Sequence, residues 1–213
     1  MRVKGTRAVQ VALATAGLVL SAAACDDASA QTAPSITPRL SFGDEAFGKA
    51  PPRIPSVVSE FRFGAIGHDM WGPEKGTVNL SGEVLFAKPF TAADLFTSYF
   101  IPRPHLGGSL NLSGNTSFAY AGLTWSVDLA PRVFVEGSFG GAVHNGRTDP
   151  LAAAFDNRAA LGCTPLFRES GSVGVRLSAN WNLMATVERL SNYGACSDNK
   201  GLTNVGARLG YSF

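Results

Sequence analysis

Residues 181–213 read WNLMATVERLSNYGACSDNKGLTNVGARLGYSF. Two strand-like runs, WNLMATVERLS and LTNVGARLGYSF, flank a short loop that carries Cys196. In the second run Val205, Ala207, Leu209, Tyr211 and Phe213 take every second position, and Gly206, Arg208, Gly210 and Ser212 fill the others. Successive side chains of a strand point to opposite faces, so this run has one apolar face and one small, polar face. The first run behaves alike through Leu183, Ala185 and Val187. It ends in Glu188-Arg189-Leu190-Ser191-Asn192, where any chemistry has to be sought.

Working outward, the same alternation recurs from residue 57 onward and yields eight strands. The other apolar sets are Phe61, Phe63, Ala65; Val78, Leu80, Val84, Phe86; Leu106, Leu110, Leu112; and Ala119, Ala121, Leu123, Trp125, Val127. They continue with Val133, Val135, Phe139, Val143 and with Phe167, Val173, Val175, Leu177. The chain is only 16% charged, holds 24 glycines, and has no internal apolar run of membrane-helix length. That is the composition of strands that meet lipid with alternate residues. The expected fold is all-β: an eight-stranded antiparallel transmembrane barrel over residues 57–213. Its last strand resembles the terminal strand of bacterial outer-membrane barrels. The opposite faces hold Glu60, Glu83, Asp128, Glu136 and Glu188 against Arg62, Arg168, Arg176 and Arg208. A barrel this narrow is filled by its own side chains, so these charges predict a paired, plugged interior and no wide pore.

The first 30 residues have the layout of a cleaved secretory signal, with Arg2, Lys4 and Arg7, an apolar core, and Ala28-Ser29-Ala30 before Gln31. Ala22-Ala23-Ala24-Cys25 offers lipoprotein processing as the alternative. Cleavage leaves fifteen basic and fourteen acidic residues, a net +1 that gives nucleic acid no basic surface. It also leaves Cys163 and Cys196, an even pair that predicts a disulfide in an exported protein. Residues 31–56 contain Pro34, Pro38, Pro51, Pro52 and Pro55, a composition that predicts an extended periplasmic arm. The expected location is the outer membrane of a Gram-negative cell, reached with the help of the barrel assembly machinery. No cofactor and no metal is called for.

An even strand number puts both ends in the periplasm, with the short turns 129–131 and 178–180 on that side and the connections 144–162 and 192–202 outside. The periplasmic connection 87–104 is long. Thr91-Ala-Ala-Asp94 resembles a capping box, and Leu95, Phe96, Tyr99 and Phe100 follow at helical spacing, which predicts a short helix at the inner rim.

The turn 178–180 pairs Leu177 with Trp181. In that register Glu169 falls opposite Arg189, and Cys163 opposite Ala195, beside Cys196. Arg189 and Ser191 share the outward parity of Leu183 and Val187, and Thr203 points outward beside Ser191 on the last strand, so with Glu169 they form a polar group on the lipid side at the outer rim. Val187–Phe213 resembles the lipid A 3-O-deacylase family, also called acyloxyacyl hydrolases. Further matching text lies in Pro102-Arg103-Pro104-His105, Tyr120–Trp125, Gly140–Gly146 and Phe167-Arg168. The resemblance implies an eight-stranded outer-membrane barrel that hydrolyses an ester-linked acyl chain of lipid A. It also implies a serine triad, with His-x-Ser-Asn on strand seven and an acid on strand eight.

On this chain the resemblance puts the nucleophile at Ser191, followed by Asn192, which would serve the oxyanion or the substrate. The His position holds Arg189 and the acid position Thr203. A guanidinium stays protonated and cannot take the serine's proton. Glu169 is the alternative acid. His144 lies two strands away with lumen parity, and His68 and His105 have the setting of structural histidines. Two readings stand: a lipid A 3-O-deacylase-like esterase, active through an unrecognised base or only weakly or not active, or a non-catalytic barrel that binds lipopolysaccharide or has a structural role. In the second, Arg189 meets a lipid A phosphate or pairs with Glu169.

Overall fold

The structure is a computed structural model that describes residues 57–90 and 92–213. The expected signal (1–30), the arm (31–56) and Thr91 lie outside the described residues. In chain order the elements are β1 (Val58–His68), β2 (Thr77–Phe86), α1 (Leu95–Phe100), β3 (Arg103–Asn111), β4 (Phe118–Asp128) and β5 (Val133–His144). They continue with α2 (Pro150–Phe155), β6 (Leu166–Arg176), β7 (Trp181–Ser191) and β8 (Leu202–Ser212). The strands close into one antiparallel barrel in sequence order. The seam joins β1 to β8, with Phe61 opposite Tyr211 and Ala65 opposite Ala207. Closure removes the sheet edges, which hydrocarbon does not tolerate.

The expected facing of the apolar and charged residues holds around the barrel. Phe63, Leu80, Leu110, Leu123, Val143, Val173 and Val187 are exposed, and Glu60, Arg62, Glu83, Glu136, Arg168, Glu188 and Arg208 are buried in the lumen. Arg62 bonds Glu60, Glu83 and Glu136. Glu188 takes both Arg168, at 2.7 Å, and Arg208, at 2.8 Å. Arg176 pairs with Asp128. Arg103 is a lumen cation that alternation did not single out, and it bridges Glu60 and Glu136, each at 2.8 Å. With it five guanidiniums meet five carboxylates, so the plug is neutral. Arg168 also lies 3.7 Å over the Tyr120 ring, whose hydroxyl donates to Glu83 at 3.0 Å. That ring needs Gly107 opposite it, since a Cβ there would come within 2.5 Å of the phenol.

The outer end of the lumen is apolar, with Phe118, Ala142, Leu166, Leu190 and Leu202 packed under Ala159 and Leu161 of the connection between β5 and β6. Beside them Glu74 ties three outer connections together. Its carboxylate accepts from His68 Nε2 at 3.0 Å, from Thr116 N at 2.7 Å and Oγ1 at 2.9 Å, and from Ala159 N at 3.0 Å. Burial raises its pKa, but the hydrogen bonds from His68, Thr116 and Ala159 outweigh that and hold it at about 2.

Two helical segments refine the sequence reading. The cap of α1 is Asp94, whose side chain accepts from Thr97 N at 2.8 Å, rather than a box opened at Thr91. Asp94 competes for the cap because an Asp at N-cap bonds the N3 amide directly. The outer connection also contains α2, capped by Asp149 with Pro150 in its first turn.

Two outcomes follow. Glu188→Ala leaves two buried guanidiniums without their shared acceptor, which should cost about 3–5 kcal/mol in urea unfolding of the detergent-folded barrel. An unchanged midpoint would mean that Glu83 alone satisfies both. Glu74 has a folded pKa below its ordinary 4.5, so its contribution is present above that value and lost as pH falls through 4.5 towards about 2. Amide exchange at Thr116 and Ala159 should quicken over that window in the native chain, and should be fast and flat in Glu74→Gln.

Candidate lipid-facing site at the outer rim

The site is a cross-strand row. Glu169 of β6 lies opposite Arg189 of β7, and Arg189 lies opposite Thr203 of β8. The β6–β7 register is the one the turn 178–180 dictates, since Leu177 N–H donates to Trp181 O at 2.8 Å. Thr203 does not sit beside Ser191 as expected. The β7–β8 register sets it directly across from Arg189, whose Nη1 donates to Thr203 Oγ1 at 3.1 Å. Gly201 opens this corner, with φ +61° and an imagined Cβ 3.3 Å from Arg189 Nη2.

Ser191 departs from the expectation more sharply. By parity it belongs on the lipid face, opposite Phe167, yet it is only 4% exposed. The connection 192–201 folds back over it. Asn199 Nδ2 donates to its Oγ at 3.0 Å and the Tyr193 amide at 3.1 Å, while its own proton goes to Asn199 Oδ1 at 3.2 Å. Asn192 spends its side chain on the same loop and on the connection between β5 and β6. Its Nδ2 donates to Leu161 O and Asp198 O, and its Oδ1 accepts from Gly194 N. Both amide protons are therefore already committed, and neither is left to serve an oxyanion. The Cys163–Cys196 disulfide, with Cα atoms 6.1 Å apart, ties this cover to the segment that enters β6.

Among the described residues Glu169 makes no ion pair with Arg189. Its carboxylate instead takes the Tyr193 hydroxyl at 2.5 Å, because the returning loop brings that phenol to the strand. The Tyr193 ring packs edge-on against Phe167, which stacks on Phe139. The three histidines all bond elsewhere. His144 Nε2 lies 3.0 Å from Cys163 O and 2.8 Å from Thr164 Oγ1, His68 meets Glu74, and His105 Nδ1 meets Thr124 at 2.9 Å. Ser191 thus has no imidazole, and its neighbour on the row is a permanent cation.

A groove of about 550 Å³ runs along the outside of this row, lined by Trp71, Glu169, Gly171, Val187, Arg189 and Thr203. Trp71 is 76% exposed. It is set there by Met70 N–H donating to Thr203 O at 2.8 Å and Asp69 N–H to Asn204 Oδ1 at 2.9 Å. Trp71, Tyr193 and Asn199 were not foreseen, since each sits on an irregular connection that carries no periodic signal. Among the described residues no cluster of three His, Cys, Asp or Glu is placed to hold a metal ion.

The Glu169 carboxylate that accepts its proton pushes the Tyr193 phenol up from its ordinary value. Glu169→Gln should bring it back down, read as a downward move of the alkaline tyrosinate absorbance change. No movement would place that proton on another acceptor.

The model of the lipid A 3-O-deacylase (PagL) family matches residues 96–212. Curated protein sequences give no match. Among solved structures, the outer membrane enzyme PagL superposes with a TM-score of 0.54 at 14% identity, over 73% of this chain and 99% of that one. The N-terminal β-barrel domain of Pseudomonas aeruginosa OprF gives 0.48 at 10% identity, over 74% and 98%. A de novo designed transmembrane β-barrel gives 0.47 at 16%, over 76% and 98%. The family match spans more than half the chain and contains the whole row of Glu169, Arg189 and Thr203 together with Ser191. The chain belongs to the lipid A 3-O-deacylase family and is a lipid A 3-O-deacylase-like barrel of the outer membrane.

Proposed function

We propose that this protein holds the head group of lipid A from outer-leaflet lipopolysaccharide in the Arg189 groove and hydrolyses it little or not at all. The observation that carries this reading is the Arg189–Thr203 hydrogen bond of 3.1 Å. Those two positions are the ones at which the family pattern has its histidine and its acid, and the register makes them cross-strand partners. A guanidinium cannot serve as a general base, and a threonine supplies no negative charge to stabilise an imidazolium. Loss of the base from a serine triad costs on the order of a million-fold in turnover. What the pair can do is bind: the guanidinium lines the groove and is suited to phosphate. In this reading the chain is exported by a cleaved signal ending at Ala30 and inserted by the barrel assembly machinery.

The test is mass spectrometry of lipid A after incubation with the folded protein. Wild type should leave the lipid intact. Arg189→His should create 3-O-deacylation, and adding Thr203→Glu, to supply the acid on β8, should raise it further, to orders of magnitude above wild type. Ser191→Ala in that background should remove the gain. Strong wild-type hydrolysis that Ser191→Ala abolishes would overturn Arg189 as a block. Strong hydrolysis indifferent to Ser191→Ala would overturn the family mechanism for this chain. Retention of intact lipid A by wild type, weakened several-fold in Arg189→Ala, is the expected binding result.

A further inference from the structure

On one side of the barrel, outward aromatic side chains at the inner rim form a packed cluster. Phe61, Trp181, Tyr211 and Phe213, from β1, β7, β8 and the residue that follows, pack edge-to-face. Ring centroids are 5.4 Å apart for Phe61–Phe213, 4.9 Å for Trp181–Tyr211 and 5.3 Å for Tyr211–Phe213. Such rings sit at the level of lipid head groups, where an apolar body and a polar edge are both satisfied. In the closed strand order the opposite side is β3 and β4. There the strands offer Trp125 as their outward aromatic near the inner rim, and it is there that α1 docks. The Trp125 indole N–H donates to Phe100 O at 3.2 Å, and Lys88 Nζ holds Ser98 O and Oγ at 2.5 and 3.0 Å.

α1 has three faces. Leu95, Ser98 and Tyr99 line a 310 Å³ cavity at the periplasmic mouth of the lumen. Thr97 follows the Asp94 cap on the side away from that mouth. Phe96 and Phe100, four residues apart and therefore on one side, are 71% and 64% exposed with their rings 5.1 Å apart. Phe90, just before the helix, is 72% exposed. A large apolar pair left open on a helix fixed to a lipid-facing indole is continuous with the lipid-facing belt.

We infer that α1 is an interfacial anchor: Phe96 and Phe100 insert among the phospholipids of the periplasmic leaflet and complete, on the β3–β4 side, the aromatic girdle that β1, β7 and β8 begin. The two halves then bracket the barrel, and the helix fixes its height and tilt in the bilayer. This in turn sets the level of the Arg189 groove, although the inference does not depend on what that groove binds.

The experiment places a nitroxide on single cysteines at positions 96, 97 and 100 of the full chain, with Cys25→Ser and the native disulfide kept, reconstituted in phosphatidylcholine vesicles. Collision with oxygen, which concentrates in lipid, is compared with collision with a water-soluble nickel chelate. The ratio of oxygen to nickel accessibility should be several-fold higher at 96 and 100 than at 97. Equal ratios at all three positions would overturn the anchor and leave the pair facing water. Labels at 96 and 100 shielded from both reagents would overturn it as well, because they would be covered by protein.

Discussion

A chain that crosses hydrocarbon must satisfy its own backbone, and closure of β1 onto β8 is how this one does so. Everything else is constrained by that ring. Eight strands leave a lumen too narrow for water to solvate isolated charges, so each inward carboxylate needs a guanidinium within reach. Glu188 between Arg168 and Arg208, and Arg62 among Glu60, Glu83 and Glu136, meet that requirement. Arg103 brings the charges into balance. Such a network is weak evidence for net stability, since desolvation offsets much of the attraction. Its effect is on register: slipping a strand by one residue would send these charges into lipid and the phenylalanines into the plug.

With the interior committed to its own neutrality, any chemistry toward lipid has to be carried by outward residues at the rim. The row Glu169, Arg189, Thr203 meets that condition, and the connection 192–201 decides what the row can reach. The same loop covers Ser191 through Asn199 and delivers Tyr193 to Glu169. One segment therefore buries the hydroxyl and diverts the carboxylate, and the Cys163–Cys196 disulfide fastens it.

Strand facing was legible because alternation is a property of single residues, and the β6–β7 register because a three-residue turn propagates from Leu177–Trp181 to Glu169–Arg189. The disulfide followed from the same count. The position of Thr203 was misjudged by two residues because the ten-residue connection between β7 and β8 does not define register as a tight turn does. How irregular loops fold was not legible at all. Nothing periodic marks Asn199 as the partner of Ser191, or Trp71 as a wall of the groove. The helices fall between these cases. The signal of α2, Asp149 followed by Pro150, is present in the sequence but lies in a segment with no apolar period, and α1 was foreseen from a box opened at Thr91 whereas Asp94 itself is the cap.

In the proposed function Arg189 and Thr203 stand at the family's histidine and acid positions, and the nature of those two substitutions bears on what the groove is for. A histidine at 189 facing threonine would keep a base with no carboxylate to stabilise its imidazolium. An arginine facing a carboxylate at 203 would form an internal ion pair and spend the cation. Arginine facing threonine does neither. One of the five N–H groups goes to Thr203 Oγ1, and the positive charge stays unneutralised across that strand pair. On the other side the Glu169 charge is turned toward the Tyr193 hydroxyl. The row thus keeps a guanidinium and a carboxylate adjacent in register yet apart, each steered by a neutral hydroxyl. A site arranged for proton transfer would couple its members, whereas one arranged to hold an anionic head group, as proposed for this groove, leaves its cation available.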